Sequence, residues 1–119
     1  MEAEEIRAYC LAKKGVSEGF PFGDQALVFK ISTKMFLLLA LDAIPLAISV
    51  KTDPEWSTDL RAQYPQIYGA YHMNKTHWNT VECEGIPKHL IKKLIDHSYD
   101  LVFASLPKKI REEIMSEKN

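Results

Sequence analysis

Cysteine is scarce in this chain. Cys10 and Cys83 lie far apart and match no CxxC or zinc-ribbon spacing, so neither a disulfide framework nor a cysteine-based zinc site is expected. That usage points to a reducing compartment. Glycine is also sparse. Gly19 and Gly23 flank Phe20-Pro21-Phe22 in a turn-rich segment, an arrangement that pins two rings to the core and does not cradle a phosphate. Long apolar runs are missing too: Met35 to Leu41 is far too short to cross a bilayer, and no membrane association is expected. The start, Met1-Glu2-Ala3-Glu4-Glu5, is acidic where a signal peptide would be basic, so a cytoplasmic protein is expected. Cys10 or Cys83 with a histidine, or Asp24 or Asp42 as an acid, are the groups a catalytic reading would use. Nothing orients them, because there is no nucleophile elbow and no carboxylate pair at a fixed helical spacing. An enzyme is not expected, nor is a cofactor.

Excess positive charge is the next absence. Fifteen Lys and Arg face sixteen Asp and Glu, for a net charge of -1. No global field therefore draws in a polyanion, and any basic face must be local. Against that balance one window stands out. Leu60 to Val81, 22 residues, holds no Asp or Glu. Within it Arg61, His72, Lys75 and His77 alternate with Tyr64, Tyr68, Tyr71 and Trp78. Cations beside flat rings suit phosphates and stackable bases. The same composition suits a protein-protein patch. The window marks a binding surface more clearly than it names what binds.

The 119 residues form one domain, 1–119, without repeats or linkers. A first helix is expected over Glu2 to Lys14, with Ile6, Tyr9 and Cys10 inward, Lys13 at the end of the same stripe, and Gly15 as its stop. Leu27, Phe29 and Ile31 alternate with Val28, Lys30 and Ser32, which predicts a half-buried strand. Met35 to Leu41 predicts a central strand after a tight turn. Leu46, Ile48 and Val50 predict a third strand and an antiparallel meander. Thr52-Asp53-Pro54-Glu55 is a helix start in which either Thr52 or Asp53 caps; Trp56, Leu60 and Tyr64 share a face, and Pro65 ends it. His77 to Cys83 has strand character. Leu90, Ile91, Leu94, Ile95, Ser98, Leu101 and Val102 form the stripe of the longest helix, broken at Pro107; Lys108 to Lys118 is a polar terminal helix or frays. The fold class is α+β, a two-layer sandwich with an antiparallel sheet and helices packed on one face.

Phe20-Pro21-Phe22-Gly23 with the following Val-Phe-Lys and Lys-Met-Phe strands, then Lys51, Asp53-Pro54-Glu55, Leu60-Arg61, Tyr71-His72-Met73-Asn74-Lys75 and His77-Trp78, and finally Ser98-Tyr99, Leu101-Val102, Leu106 and Lys108-Lys109, together resemble the MmcQ/YjbR family. The resemblance covers nearly the whole chain. It implies a CyaY-like fold with a double-wing arrangement, and an association with DNA binding.

Candidate contacts to nucleic acid are Lys30, Lys34, Lys51, Arg61, Asn74, Lys75 and His77. Lys30, Lys34 and Lys51 are expected on one open sheet face, as a phosphate-contacting wing or simply as polar cover. Arg61 reaches a phosphate or pairs with Asp53, Asp59 or Glu82. If the loop is extended, Lys75 and His77 share a side and Trp78 turns the other way, into the core. His72 and Asn74 either hold the loop through backbone bonds or meet the ligand, since Asn pairs well with adenine. His72, His77 and Cys83, with His89 and His97 further off, are zinc-competent but match no zinc spacing, so no metal is expected. The expected partner is double-stranded DNA, bound weakly through its backbone. The alternative is another protein, docked on the Tyr/His/Trp surface of residues 64–79.

Overall fold

The computed structural model describes residues 1–71 and 73–117. Its six strands form one antiparallel sheet. In chain order they are β1 (Val16–Gly19), β2 (Ala26–Ile31), β3 (Lys34–Ala40), β4 (Ala47–Lys51), β5 (Ile67–Gly69) and β6 (Trp78–Glu82), and they lie in the spatial order β1-β2-β3-β4-β6-β5. The helices are α1 (Ala3–Leu11), α2 (Pro54–Gln63), α3 (Lys88–Ala104) and α4 (Lys108–Ser116).

Pairing fixes which residues share a face, because partners in an antiparallel ladder point the same way. Leu27↔Leu39↔Ile48↔Val81↔Ile67 and Phe29↔Leu37↔Val50↔Asn79 are two such rows. All but Asn79 belong to the hydrophobic core with Leu90, Ile91, Leu94 and Ile95 of α3, so this face is the one the helices cover. The sandwich and the α+β class are as the periodicity predicts.

Local chemistry sets the helix ends. The Glu5 carboxylate accepts from the Glu2 backbone N–H at 3.1 Å, Ile6 and Cys10 are buried one turn apart, and the helix stops short of the expected Lys14. Gly15 follows with φ +74°, where a Cβ would stand 3.0 Å from Ile114 Cγ2 of α4. Only glycine suits both that backbone and that approach. Asp53, and not Thr52, caps α2: its Oδ1 accepts from the Glu55 N–H at 3.0 Å, and Pro54 occupies the first turn. Thr52 is instead fully buried.

Three expectations fail here. Residues 16–19, where no strand is expected and Gly19 belongs to the turn-rich segment, form edge strand β1 against β2. Phe20 and Phe22 do not pin their loop to the core; they are 51% and 70% exposed. Third, Lys34 does not join Lys30 and Lys51 on the open face. Between Phe29 and Lys30 the β2–β3 register shifts, so Phe36 has no opposite partner and both Phe36 and Leu37 are buried. Such a bulge inverts the alternation beyond it. Lys34 consequently pairs with inward-facing Ile31, and its ammonium reaches Ser105 at the end of α3, 3.2 Å from Oγ.

Candidate functional site

The uncovered face of the sheet carries three rows. The middle row runs Gly19↔Val28↔Leu38↔Ser49↔Thr80↔Tyr68. On one side lie Ala26↔Ala40↔Ala47↔Glu82, with the only acid among the three rows. On the other side lie Ser17↔Lys30↔Met35 and, past the bulge, Lys51↔Trp78. Cations and soft or aromatic side chains alternate along this last row. Lys30 and Lys51 sit on strands separated by β3, so their backbones are about 10 Å apart. Among the described residues, neither they nor Lys75 make an ion pair.

Beside this row opens a concavity of about 470 Å³ lined by Phe22, Met35, Leu38, Ser49, Tyr71 and Met73. Its floor is sheet and its walls are two loops. Tyr71 is 73% exposed, and the Lys75 ammonium stands 5.4 Å from the centre of its ring. The Lys75 stem packs where a Cβ on Gly69 would fall, at 3.3 Å from Lys75 Cβ. At the far end the Tyr68 hydroxyl donates to Glu82 at 2.7 Å, which raises the phenol above its ordinary range.

The loop that supplies Tyr71, Met73 and Lys75 is held from behind by a polar cluster. Arg61 Nε donates to Asn79 Oδ1 at 2.7 Å, and its Nη2 donates to the carbonyls of Lys75 and, at 3.4 Å, Trp78. Asn79, fully buried, donates through Nδ2 to Thr52 Oγ1 at 2.7 Å and Ser57 Oγ at 3.0 Å, and those hydroxyls bond each other. Buried polar groups satisfied in this way stiffen a segment. Asn74 Oδ1 accepts from the Thr76 N–H at 3.0 Å, and its carbonyl accepts from the N–H groups of His77 and Trp78. The His77 carbonyl accepts from Thr52 N–H at 2.7 Å.

The seven predicted contacts therefore separate. Lys30 and Lys51 share the open face, and Lys75 and half-buried His77 stand in the loop above it. Arg61 pairs with none of the expected acids and clamps the loop. Asn74 closes a turn, and Lys34 lies on the helix side. Trp78 is corrected as well: it opens β6 on the uncovered face, while the inward position falls to Asn79. The alternation expected from Lys75 onward fails because residues 74–77 are turn. Sequence reasoning also missed Phe22, Met35, Leu38 and Ser49, since only the fold brings them beside Tyr71. The pairing of Met35 with Lys30 across a tight turn was the one available signal.

Among the described residues, no group of three or more His, Cys, Asp or Glu side chains is placed to hold a metal ion; His72 lies outside them. Burial pushes the Cys10 thiol up to about 12 and the Cys83 thiol up to about 11, the reverse of an activated nucleophile. Among the described residues, no helix is long and apolar enough to cross a membrane.

Known proteins match this arrangement over most of its length. The YjbR family model matches residues 11–101. The Escherichia coli K12 protein YjbR, described as uncharacterized, is 32% identical over 113 residues, which are 94% of this chain and 96% of that protein. YbdF of Escherichia coli O157:H7, also described as uncharacterized, is 39% identical over 97 residues, 80% of this chain and 79% of YbdF. Among solved structures, Deinococcus radiodurans protein DR2400, with a DUF419 domain, superimposes with a TM-score of 0.87 at 37% identity, covering 94% of this chain and 86% of its own. A Pseudomonas syringae protein does so at 0.72 and 29% identity, covering 86% and 99%. The chain belongs to the YjbR family.

Proposed function

We propose that this protein is a small non-catalytic module that binds nucleic acid weakly, through phosphate contacts on the uncovered face of its sheet. One observation carries the reading. Lys30 and Lys51 stand in a single row with Met35 and Trp78, Lys75 stands on the adjoining loop, and the row's only acid counterpart, Glu82, is at the opposite side of the face. A polyanion laid along that row meets cations that, among the described residues, no carboxylate pairs with. The near-neutral total charge keeps the attraction local, so weak binding and little long-range steering follow. The two buried, high-pKa thiols support the non-catalytic part of the proposal. The same reading places the protein in the cytoplasm, where such a partner is found.

Three phosphate contacts give a log–log dependence of affinity on salt with a slope of about -2 to -3. Fluorescence titration of labelled DNA at several salt concentrations measures it. The double substitution Lys30→Glu with Lys75→Glu is expected to abolish binding at low salt while leaving the thermal melt unchanged. Binding that ignores salt, or survives the double substitution, rejects phosphate contacts and turns attention to a protein docked on the rings of residues 64–79.

A further inference from the structure

We infer that the concavity beside the lysine row takes an unpaired base, so that the protein prefers single-stranded nucleic acid to duplex. The inference rests on the phosphate-binding reading above and adds to it the form of the partner. Its ground is the juxtaposition of Phe22, Tyr71, Met35, Leu38 and Met73 around one opening with Lys30, Lys51 and Lys75 at its border.

Lys30 is the cross-strand partner of Met35, which floors the concavity. Lys51 lies two residues beyond Ser49 on the same strand and the same face. Lys75 lies over the ring of Tyr71. The cations thus border an apolar opening, an arrangement that suits phosphates on the lysines and a base within. A duplex keeps its bases stacked and paired, so its approach would use the lysines and leave Phe22 and Tyr71 in water. A single strand uses both sets, since a base offers a flat face to a ring whatever its identity. The opening is a sheet surface with loop walls, and among the described residues no helix lines it to enter a major groove. Arg61, itself bonded to Asn79, holds the Lys75 carbonyl from behind, so the backbone that carries the Lys75 ammonium is fixed before any ligand arrives. Sequence preference should be slight, because rings and thioethers do not read base edges.

The test uses the full chain with three fluorescent probes of equal phosphate number: a random-sequence single strand, a duplex of half its length, and an abasic strand as long as the single strand. At low salt the single strand is expected to bind about tenfold tighter than the other two, the size of one base–ring stack. Phe22→Ala is expected to remove that advantage and leave the abasic affinity unchanged. Phe22 is largely exposed in a loop, so the variant folds, and Tyr71→Ala provides a second removal of a wall. Equal, salt-sensitive binding of all three probes overturns the base inference while the phosphate reading stands. Failure of every probe at low salt overturns both and leaves the concavity to a protein partner.

Discussion

Arg61 separates two roles that its sequence position leaves open. As a phosphate contact it would need only charge, and Arg61→Lys would keep most of its effect. As the clamp seen here it needs the guanidinium fork, because Nε and Nη2 must reach Asn79 Oδ1 and the Lys75 carbonyl together. Arg61→Lys then fails nearly as badly as Arg61→Ala. The larger part of the cost comes from Asn79. Its Oδ1 is buried with Arg61 as its donor, and an orphaned buried acceptor costs about 1–3 kcal/mol. The Lys75 carbonyl is at an exposed turn, where water replaces the lost donor, and the 3.4 Å bond to Trp78 adds little. The sum is about 2–3 kcal/mol for Arg61→Ala and about 2 kcal/mol for Arg61→Lys. In a domain of this size that lowers the Tm by about 6–12 °C. Urea unfolding with an unchanged m-value, together with faster amide exchange confined to residues 69–79, is the expected signature. Arg61→Lys within 0.5 kcal/mol of the parent, accompanied by a steep loss of DNA affinity in Arg61→Ala alone, would refute the clamp.

Three further substitutions, two of them combined and read by a pH titration, test the packing and the surface charges. Gly15→Ala places a side chain at φ +74° against Ile114 and is expected to cost about 2 kcal/mol, measured by denaturant unfolding. Glu5, beside Lys88, and Glu18, gripped by both Arg7 Nε at 2.8 Å and Nη2 at 2.7 Å, have carboxyls held below their ordinary range by those hydrogen bonds. Their stabilisation is therefore complete above the ordinary carboxylate pKa of 4.5 and is lost as pH falls through the lowered folded values. Glu5→Gln with Glu18→Gln should flatten the fall of Tm with pH below 4.5 and leave its shape near neutrality unaltered. An acid limb as steep as the parent's would show that other carboxylates carry it.

The elements were legible where apolar periodicity had a phase to read. Leu27-Phe29-Ile31 and the long stripe of α3 gave their faces directly, because one side is covered and the other is not. β1 was invisible for the opposite reason. Its residues are Val-Ser-Glu-Gly, Ser17 and Glu18 are exposed, and an edge strand this short presents no pattern to detect. Lys34 was assigned to the wrong face because Met35 to Leu41 is apolar throughout, so the extra residue at Phe36 left no mark in the pattern. Trp78 and Asn79 exchanged places for an energetic reason. A ring beside an amide is ordinarily the buried one, yet Arg61, Thr52 and Ser57 satisfy every hydrogen-bonding group of the Asn79 amide that they face, and the amide goes inside. Such networks depend on residues distant in sequence. The candidate site was half legible: the acid-free run supplied Tyr71, Met73 and Lys75, but its floor comes from β3 and β4 and its second ring from the Phe22 loop.

The most direct test of the open face as the binding surface is amide and side-chain shift mapping of the labelled protein during titration with a single-stranded oligonucleotide at low salt. The account predicts perturbations confined to Lys30, Met35, Ser49, Lys51, Trp78 and the flanking Phe22 and Tyr71–Lys75 loops, fading as salt is added. Shifts clustered on α1, α3 or α4, or no shifts at all, would contradict it.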